Sequence, residues 1–221
     1  MMTKSVLMVV TNTDKIDADN PTGLWLSEFA EPYVEFKRNG YDVTVVSPKG
    51  GAIPLDPNSL EGEQPSEWKE AEAQLLQTEQ LSSVVFDHFD GVFLPGGHGT
   101  MFDLPNEPQL QDGLAHFAEN NKAIGAVCHG PAGFIDVELS DGTPLVKGRK
   151  LTSFTDEEEK EMGLVEKMPF LLQSRLEEQG AHFVAQANWA DHVVRDGNFV
   201  TGQNPQSSQK TAEAFVNVIG K

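Results

Sequence analysis

One residue of this chain has both the chemistry and the sequence context of a nucleophile. Cys128 is the only cysteine among 221 residues. The apolar run 122–127 leads into it and the small residues 130–133 follow it, a pattern typical of a strand, a sharp turn and the start of a helix. Such a turn would present the thiol above the end of a sheet, and the helix N-terminus would lower the pKa of the thiol. We therefore expect a catalytic Cys128 with thiolate available near neutral pH; the alternative is a buried structural cysteine.

A cysteine nucleophile needs a base, a group that orients the base, and hydrogen-bond donors for an oxyanion. His129 follows Cys128 directly and is the candidate base, although a histidine at a helix start can also simply bind a backbone carbonyl. The acidic run 156–161 follows a predicted strand, so one of its carboxylates could orient His129 while the others form the solvated first turn of a helix. Gly96 and Gly97 also follow a strand, where a backbone N–H can point at an oxyanion.

No cofactor and no metal are expected. Residues 96–99 resemble half of a dinucleotide-binding glycine motif, but the third glycine is missing and the position is not the first βα unit. The six histidines include no pair with the short helical spacing of metal ligands, and a lone cysteine does not form a thiolate cluster. The predicted chemistry therefore uses only side chains and backbone groups.

The elements that must position these residues alternate between strand and helix. This alternation predicts an α/β fold with a mostly parallel sheet and helices on both faces, in which the site lies at the carboxyl ends of the strands. A helix over 25–38 contains Pro32 and should begin near it or bend there. The strands are predicted at 5–10, 41–47, 90–95, 122–127, 151–154 and 183–187, with a hairpin of 192–195 and 198–201. A long loop is predicted over 50–68, and the other helices are predicted at 67–77, 108–121, 169–179 and 205–219.

Length and charge limit the class of protein. We expect a single domain over 1–221, with a loop and helix insertion at about 50–80. No apolar run is long enough for a membrane span, and the net charge of −18 argues against nucleic acids and anionic membranes as partners. A single cysteine excludes an internal disulfide and fits a reducing cytoplasm.

Four segments, read together, carry a family resemblance: residues 23–28, 94–99, 126–131 and 201–208. They resemble the ThiJ/PfpI superfamily, which is related to class I glutamine amidotransferase domains, and most of all its branch of heat-shock chaperones and glutathione-independent glyoxalases. The likeness runs from the first strand to the last helix, and it implies a flavodoxin-like sandwich and a homodimer.

The resemblance also implies roles for individual residues. Cys128 matches the family nucleophile and His129 the histidine that follows it. Glu28 matches a carboxyl that hydrogen-bonds the cysteine and handles protons; without the family, an exposed helix residue was the better interpretation. The acid that orients His129 aligns with Glu159, with Asp156 and Glu158 as alternatives. The backbone amides of Gly97 and His129 match the oxyanion donors.

The function that follows from the resemblance is a glutathione-independent glyoxalase acting on small dicarbonyls. It would convert methylglyoxal and similar 2-oxoaldehydes to 2-hydroxy acids such as D-lactate. Two alternatives use the same chain differently: a holding chaperone or stress-response protein, which would not need Cys128, and a cysteine hydrolase (peptidase, amidase or deglycase) that works through an acyl-enzyme. Glutamine amidotransfer would need a synthase partner.

Overall fold

The structure is a computed structural model, and it describes residues 3–220. Short 3-10 helices join the strands and α-helices of this range. The strands are β1 (Ser5–Val9), β2 (Lys15–Asp17), β3 (Asn20–Pro21), β4 (Asp42–Ser47), β5 (Glu79–Gln80), β6 (Gly91–Leu94), β7 (Ala123–Val127), β8 (Lys150–Leu151), β9 (His182–Phe183), β10 (Val193–Asp196) and β11 (Phe199–Gly202). The helices are α1 (Leu26–Arg38), α2 (Lys69–Gln74), α3 (Thr100–Asp103), α4 (Pro108–Glu119), α5 (Asp156–Glu161), α6 (Leu172–Glu178) and α7 (Ser208–Ile219).

Seven strands form the central sheet, in the order β10-β11-β7-β6-β1-β4-β5. Neighbouring strands pair in parallel, except that β10 and β11 form the antiparallel hairpin expected from the turn at 196–197. Because β1, β6 and β7 are adjacent and parallel, their carboxyl ends meet at one edge. The segments that follow these three strands are therefore brought together there.

The sheet separates two apolar cores. Side chains alternate across a strand, and in β1 Val6 and Met8 pack in the core covered by α1 and α7. Leu7 and Val9 point the other way, into the core covered by α4 and α6. The expected α/β class, a flavodoxin-like sandwich with helices on both faces of a mostly parallel sheet, is confirmed.

Helix α1 begins earlier than the proline suggested. It starts at Leu26 and runs through Pro32 to its end, so the expectation of a start near Pro32 is wrong. The apolar residues Leu26, Phe29 and Phe36 lie on both sides of the proline and pack in the same core. This shared burial holds the helix together although the proline removes one backbone hydrogen bond.

Two predicted strands are much shorter in the structure. The strand expected at 151–154 is reduced to β8, and the strand expected at 183–187 is reduced to β9. β8 and β9 pair with each other outside the central sheet. Beyond β8 the backbone no longer follows a ladder. The N–H of Thr152 donates to Thr201 Oγ1 and the N–H of Phe154 donates to the carbonyl of Cys128, both at 2.9 Å. These bonds turn the chain toward the Cys128 loop.

The segment expected as an insertion, 50–80, is more ordered than a loop. It contains two 3-10 helices, Pro57–Leu60 and Ser66–Trp68, followed by α2. It ends in β5, which pairs with β4 and forms one edge of the sheet. Among residues 3–220, no helix combines the length and the apolar character required to cross a bilayer.

Candidate active site

Cys128 lies on a strained turn directly after β7. Its φ is +60°, a left-handed conformation that is uncommon for a residue with a side chain. Backbone hydrogen bonds of 2.9 Å fix the turn, from the Cys128 N–H to the carbonyl of Gly202 and from Phe154 to the carbonyl of Cys128. The small residue after the turn is required, because a Cβ on Gly130 would collide with the carbonyl oxygen of Leu94. The sharp turn expected from the sequence is therefore present.

The expected low pKa of the thiol is not supported. The segment after the turn is a 3-10 helix of five residues, Gly130–Phe134, and not an α-helix, so its dipole is smaller than the one on which the expectation rested. The Cys128 side chain is buried, at 3% exposure. Burial raises the pKa of the thiol. A thiolate must therefore form with the help of a base.

His129 and Glu159 supply such a base and its support. Cys128 Sγ lies 3.4 Å from Nδ1 of His129, and Nε2 of His129 lies 2.7 Å from Oε2 of Glu159. Burial would raise the pKa of Glu159, but its contacts with His129 and His98 hold it well below the usual range, so it is a carboxylate. A carboxylate only accepts hydrogen bonds, so His129 donates from Nε2 and turns its Nδ1 lone pair toward the thiol. Burial and then the His98 ring lower the pKa of His129, which favours the neutral imidazole.

Glu159 is the acid that reaches His129, and the two alternatives have other contacts. Asp156 accepts a hydrogen bond from the hydroxyl of Ser174 at 2.5 Å. Glu158 caps α5 together with Thr155. The other oxygen of Glu158, Oε1, accepts hydrogen bonds from the Trp189 N–H, Gln203 Nε2 and Asn204 Nδ2 at 2.9, 3.1 and 2.9 Å. Glu158 therefore fixes the loops around the site, and the periodicity of α5 leaves Glu159 facing His129.

Glu28 enters the site from the first turns of α1. Its side chain is fully buried, and Oε2 accepts a hydrogen bond of 2.7 Å from the N–H of Gly96. Its other oxygen, Oε1, has no hydrogen-bond partner among residues 3–220. Burial raises the pKa of Glu28 well above the ordinary value, and the Cys128 thiol and the Gly96 amide only partly oppose this. Glu28 is therefore a neutral carboxylic acid beside the thiol.

The two expected oxyanion donors lie at the same cavity as the thiol. Gly97 and His129 both line it, and Gly97 has a φ of +103°, which a side chain would strain. The Gly97 N–H donates no hydrogen bond to another group among residues 3–220. The His129 N–H faces the Cys128 sulfur, where it partly offsets the raised pKa of the thiol. Gly97 is therefore a donor for an oxygen atom of a ligand, and His129 becomes one when the sulfur bonds to the substrate.

The cavity above Cys128 has a volume of about 230 Å³. This is below the roughly 300–1,000 Å³ typical of pockets for drug-sized ligands, so it suits a small molecule. A larger depression of about 830 Å³ lies beside Tyr41 and Asp90, away from every predicted site residue; we place the chemistry in the smaller cavity because it contains the thiol. Its walls are mostly apolar, formed by Trp25, Phe154, Met162, Trp189, Pro205 and Gln206.

Sequence reasoning missed two contributors to this site. His98 belongs to the quoted segment 94–99, but only the glycines of that segment were given a role. Its position after β6, at the carboxyl edge of the sheet, was a usable signal. The sequence around Trp189 gives no such signal. In the structure this residue lies in a loop, with a φ of +63°. Only the three-dimensional structure brings it to the cavity.

His98, His129 and Glu159 are the residue types that bind metals, and their ligand atoms lie within 4.8 Å of one another. Each imidazole Nε2 is already 2.7 Å from an oxygen of Glu159. We interpret the group as a hydrogen-bonded cluster of one carboxylate and two imidazoles. The expectation that the reaction uses no metal and no cofactor stays a prediction.

Comparison with known proteins agrees with this arrangement. The model of the DJ-1/PfpI family matches residues 22–218. The chain belongs to the DJ-1/PfpI family. Glyoxalase 3 of Candida albicans is 32% identical over 234 residues, covering 97% of this chain and 98% of the relative. The glutathione-independent glyoxalase HSP31 of Saccharomyces cerevisiae is 30% identical over 236 residues, covering 99% of both chains.

Solved structures give the same family. The crystal structure of glyoxalase III from Candida albicans superposes with a TM-score of 0.89 at 31% identity, covering 97% of both chains. The Rapid Encystment Protein 24 kDa of Francisella tularensis superposes with a TM-score of 0.93 at 34% identity, covering 98% of this chain and 99% of that one. The resemblance inferred from four short segments therefore extends over the whole fold.

Proposed function

We propose that this protein is a glutathione-independent glyoxalase that converts 2-oxoaldehydes such as methylglyoxal to 2-hydroxy acids, D-lactate in that case. The observation that carries the proposal is a cysteine on a strained turn, 3.4 Å from the imidazole of His129 and beside the neutral acid Glu28, in a cavity of about 230 Å³. Relatives that match nearly the whole chain are named glyoxalases.

The first step is addition of the thiol to the aldehyde. Sγ of Cys128 forms a bond to the aldehyde carbon C1 while the thiol proton passes to Nδ1 of His129. The carbonyl electrons move onto the aldehyde oxygen, which accepts hydrogen bonds from the N–H groups of Gly97 and His129. Protonation of this oxygen gives a hemithioacetal. The built-in thiol takes the place that a free thiol such as glutathione would otherwise fill.

The second step moves a proton from C1 to the neighbouring carbon C2. Loss of the C1 proton and protonation of the ketone oxygen give an enediol. Protonation at C2 and loss of the proton of the C1 hydroxyl then leave a thioester at C1. Glu28 and His129 are the acid–base groups beside the thiol that can carry these protons. Water finally adds to the thioester and the thiol leaves with a proton, so one 2-oxoaldehyde and one water give one 2-hydroxy acid.

The test is formation of lactate from methylglyoxal in the absence of glutathione and of added metal. We expect steady turnover by the parent protein and turnover at background level for Cys128→Ala. An equal rate for the two proteins would contradict the role of Cys128. Activity of the parent on esters or peptides but not on methylglyoxal would instead favour a cysteine hydrolase, which needs the same thiol and oxyanion donors.

A homodimer and a cytoplasmic location are further parts of the proposal. The dimer rests on the family resemblance alone, and the location on a cysteine usage without disulfides. Light scattering at micromolar concentration should give twice the mass of the 24.2 kDa chain; a stable monomer would contradict the dimer.

A further inference from the structure

His98 is in direct contact with His129 but has no role in the mechanism above. It is buried, at 5% exposure, and its ring centre is 4.1 Å from that of His129. Its Nε2 lies 2.7 Å from Oε1 of Glu159, the same distance that joins His129 to Oε2. The carboxylate is thus held between two imidazoles, one on each oxygen.

We propose that His98 is a positioning residue for the glyoxalase reaction: it fixes Glu159 against His129 and, as a second ring on the same carboxylate, keeps His129 neutral. The inference rests on the proposed function. His98 does not act on the substrate in this account; it acts through Glu159 and His129.

The geometry of the carboxylate explains the first part of the role. A Glu side chain with a hydrogen bond to only one oxygen can rotate about its last torsion, which has a broad energy profile. With both oxygens bound, the plane of the Glu159 carboxylate is fixed, and Oε2 stays aligned with Nε2 of His129. This alignment keeps the proton of His129 on Nε2, and only that tautomer offers Nδ1 to the thiol.

The charges explain the second part. One carboxylate can balance only one positive imidazole, and two rings share Glu159. Burial, and after it the His98 ring, lower the pKa of His129, so His129 is neutral near pH 7. The other titratable groups around the two rings are Glu159 and Glu158 on α5, Glu28 on α1, Cys128 on the turn, and Asp56 across a small cavity that His98 lines.

Two substitutions separate the two parts. In His98→Gln, the amide nitrogen replaces Nε2 and can still donate to Glu159, but the second imidazole is removed. In His98→Asn, the amide reaches only the position of Nδ1 and does not contact Glu159. His88→Gln is the control, since His88 is exposed and lies before β6, at the opposite end of the strand. Thermal melting checks that each variant is folded.

The measurement is kcat/KM for methylglyoxal against pH. For His98→Gln we expect a plateau at pH 8 within about threefold of the parent. Its acid limb should move up by about one pH unit, because the His98 ring no longer lowers the pKa of His129. For His98→Asn we expect a loss of at least tenfold over the whole range. Parent-like profiles for both variants, or loss of activity in His98→Gln without a shift of its acid limb, would overturn the proposal.

A second readout does not depend on the reaction. NMR titration of the His129 ring should give a higher midpoint in His98→Gln than in the parent, and an unchanged midpoint in His88→Gln. If the parent shows no glyoxalase activity but the midpoint still moves up, the proposed function fails and the role of His98 in keeping His129 neutral stands. If the midpoint does not move, the inference about His98 is wrong whatever the activity.

Discussion

Replacing Glu159 by Gln removes one charge from the centre of the site and changes little in volume. The carboxylate accepts two buried hydrogen bonds of 2.7 Å, from Nε2 of His129 and Nε2 of His98. A Gln side chain has one accepting oxygen and one donating nitrogen, so one of the two imidazoles must face a donor. That ring has to move its proton to Nδ1 or lose its partner.

The expected loss follows from this mismatch. A hydrogen bond to a charged group contributes about 1.5–3 kcal/mol, and about 1.4 kcal/mol corresponds to a tenfold change in rate. Losing the bond to His129 should therefore lower kcat/KM by roughly 10- to 150-fold. If His129 adopts the other tautomer, its proton faces the thiol and the loss approaches about 10⁴-fold, as for other triads. Cys128→Ala should remain the more damaging change.

The assay is the initial rate of lactate formation from methylglyoxal at pH 7.5, with thermal melting as a check of the fold. Glu157→Gln is the matched control, because Glu157 is exposed, pairs only loosely with Lys160 at 3.6 Å, and lies two residues from Glu159 on α5. The control should have the activity of the parent. A folded Glu159→Gln protein with kcat/KM within a factor of two of the parent would refute the reasoning, and the site would then be a pair of Cys128 and Glu28.

Three further predictions concern the groups around the triad. Glu28→Gln should lose most turnover yet gain stability relative to the parent as the pH rises from 4.5 toward 7. Since the folded-state pKa of Glu28 is raised, its ionisation in the unfolded chain favours unfolding of the parent above pH 4.5. Urea unfolding of both proteins at pH 4.5 and 7 would test this, and a stability difference between them that does not change with pH would contradict it. Glu158→Gln should lower the free energy of unfolding by about 3 kcal/mol, because an amide N–H would replace an acceptor of buried N–H groups; a parent-like urea midpoint would show that these bonds contribute little. Dialysis against EDTA should leave lactate formation unchanged, whereas a loss restored by Zn²⁺ would mean that the cluster of His98, His129 and Glu159 holds a metal.

The sequence predicted the structure best where a local residue pattern also marks a buried part of the chain. The apolar run before Cys128 and the small residues after it require a strand and a tight turn, and the structure has both. The run 151–154 was predicted as a strand, but only Leu151 lies in one, because the N–H groups of Thr152 and Phe154 bind Thr201 and the carbonyl of Cys128. Hydrogen bonds between residues that are distant in sequence leave no local pattern.

The same limit applies to the site. The position of Glu28 came from the family resemblance, because a single acidic residue on a helix is ordinarily exposed, and nothing local indicates complete burial. The expectation of a thiol with a low pKa is not supported, for a related reason. The small residues after Cys128 are compatible with either an α-helix or a 3-10 helix, and the depth of burial that raises the pKa of the thiol is a property of the whole fold.

The central claim is that Cys128 forms a covalent bond to the carbon atom of the substrate that becomes the carboxyl carbon. Intact-protein mass spectrometry after rapid mixing with methylglyoxal and quenching in acid, which preserves hemithioacetal and thioester bonds, tests it most directly. We predict one substrate-derived adduct per chain, mapped to Cys128 by peptide analysis, with greater accumulation in Glu28→Gln because the later proton transfers are slowed. An adduct that is absent from the active parent, or that forms equally in Cys128→Ala, would contradict the claim.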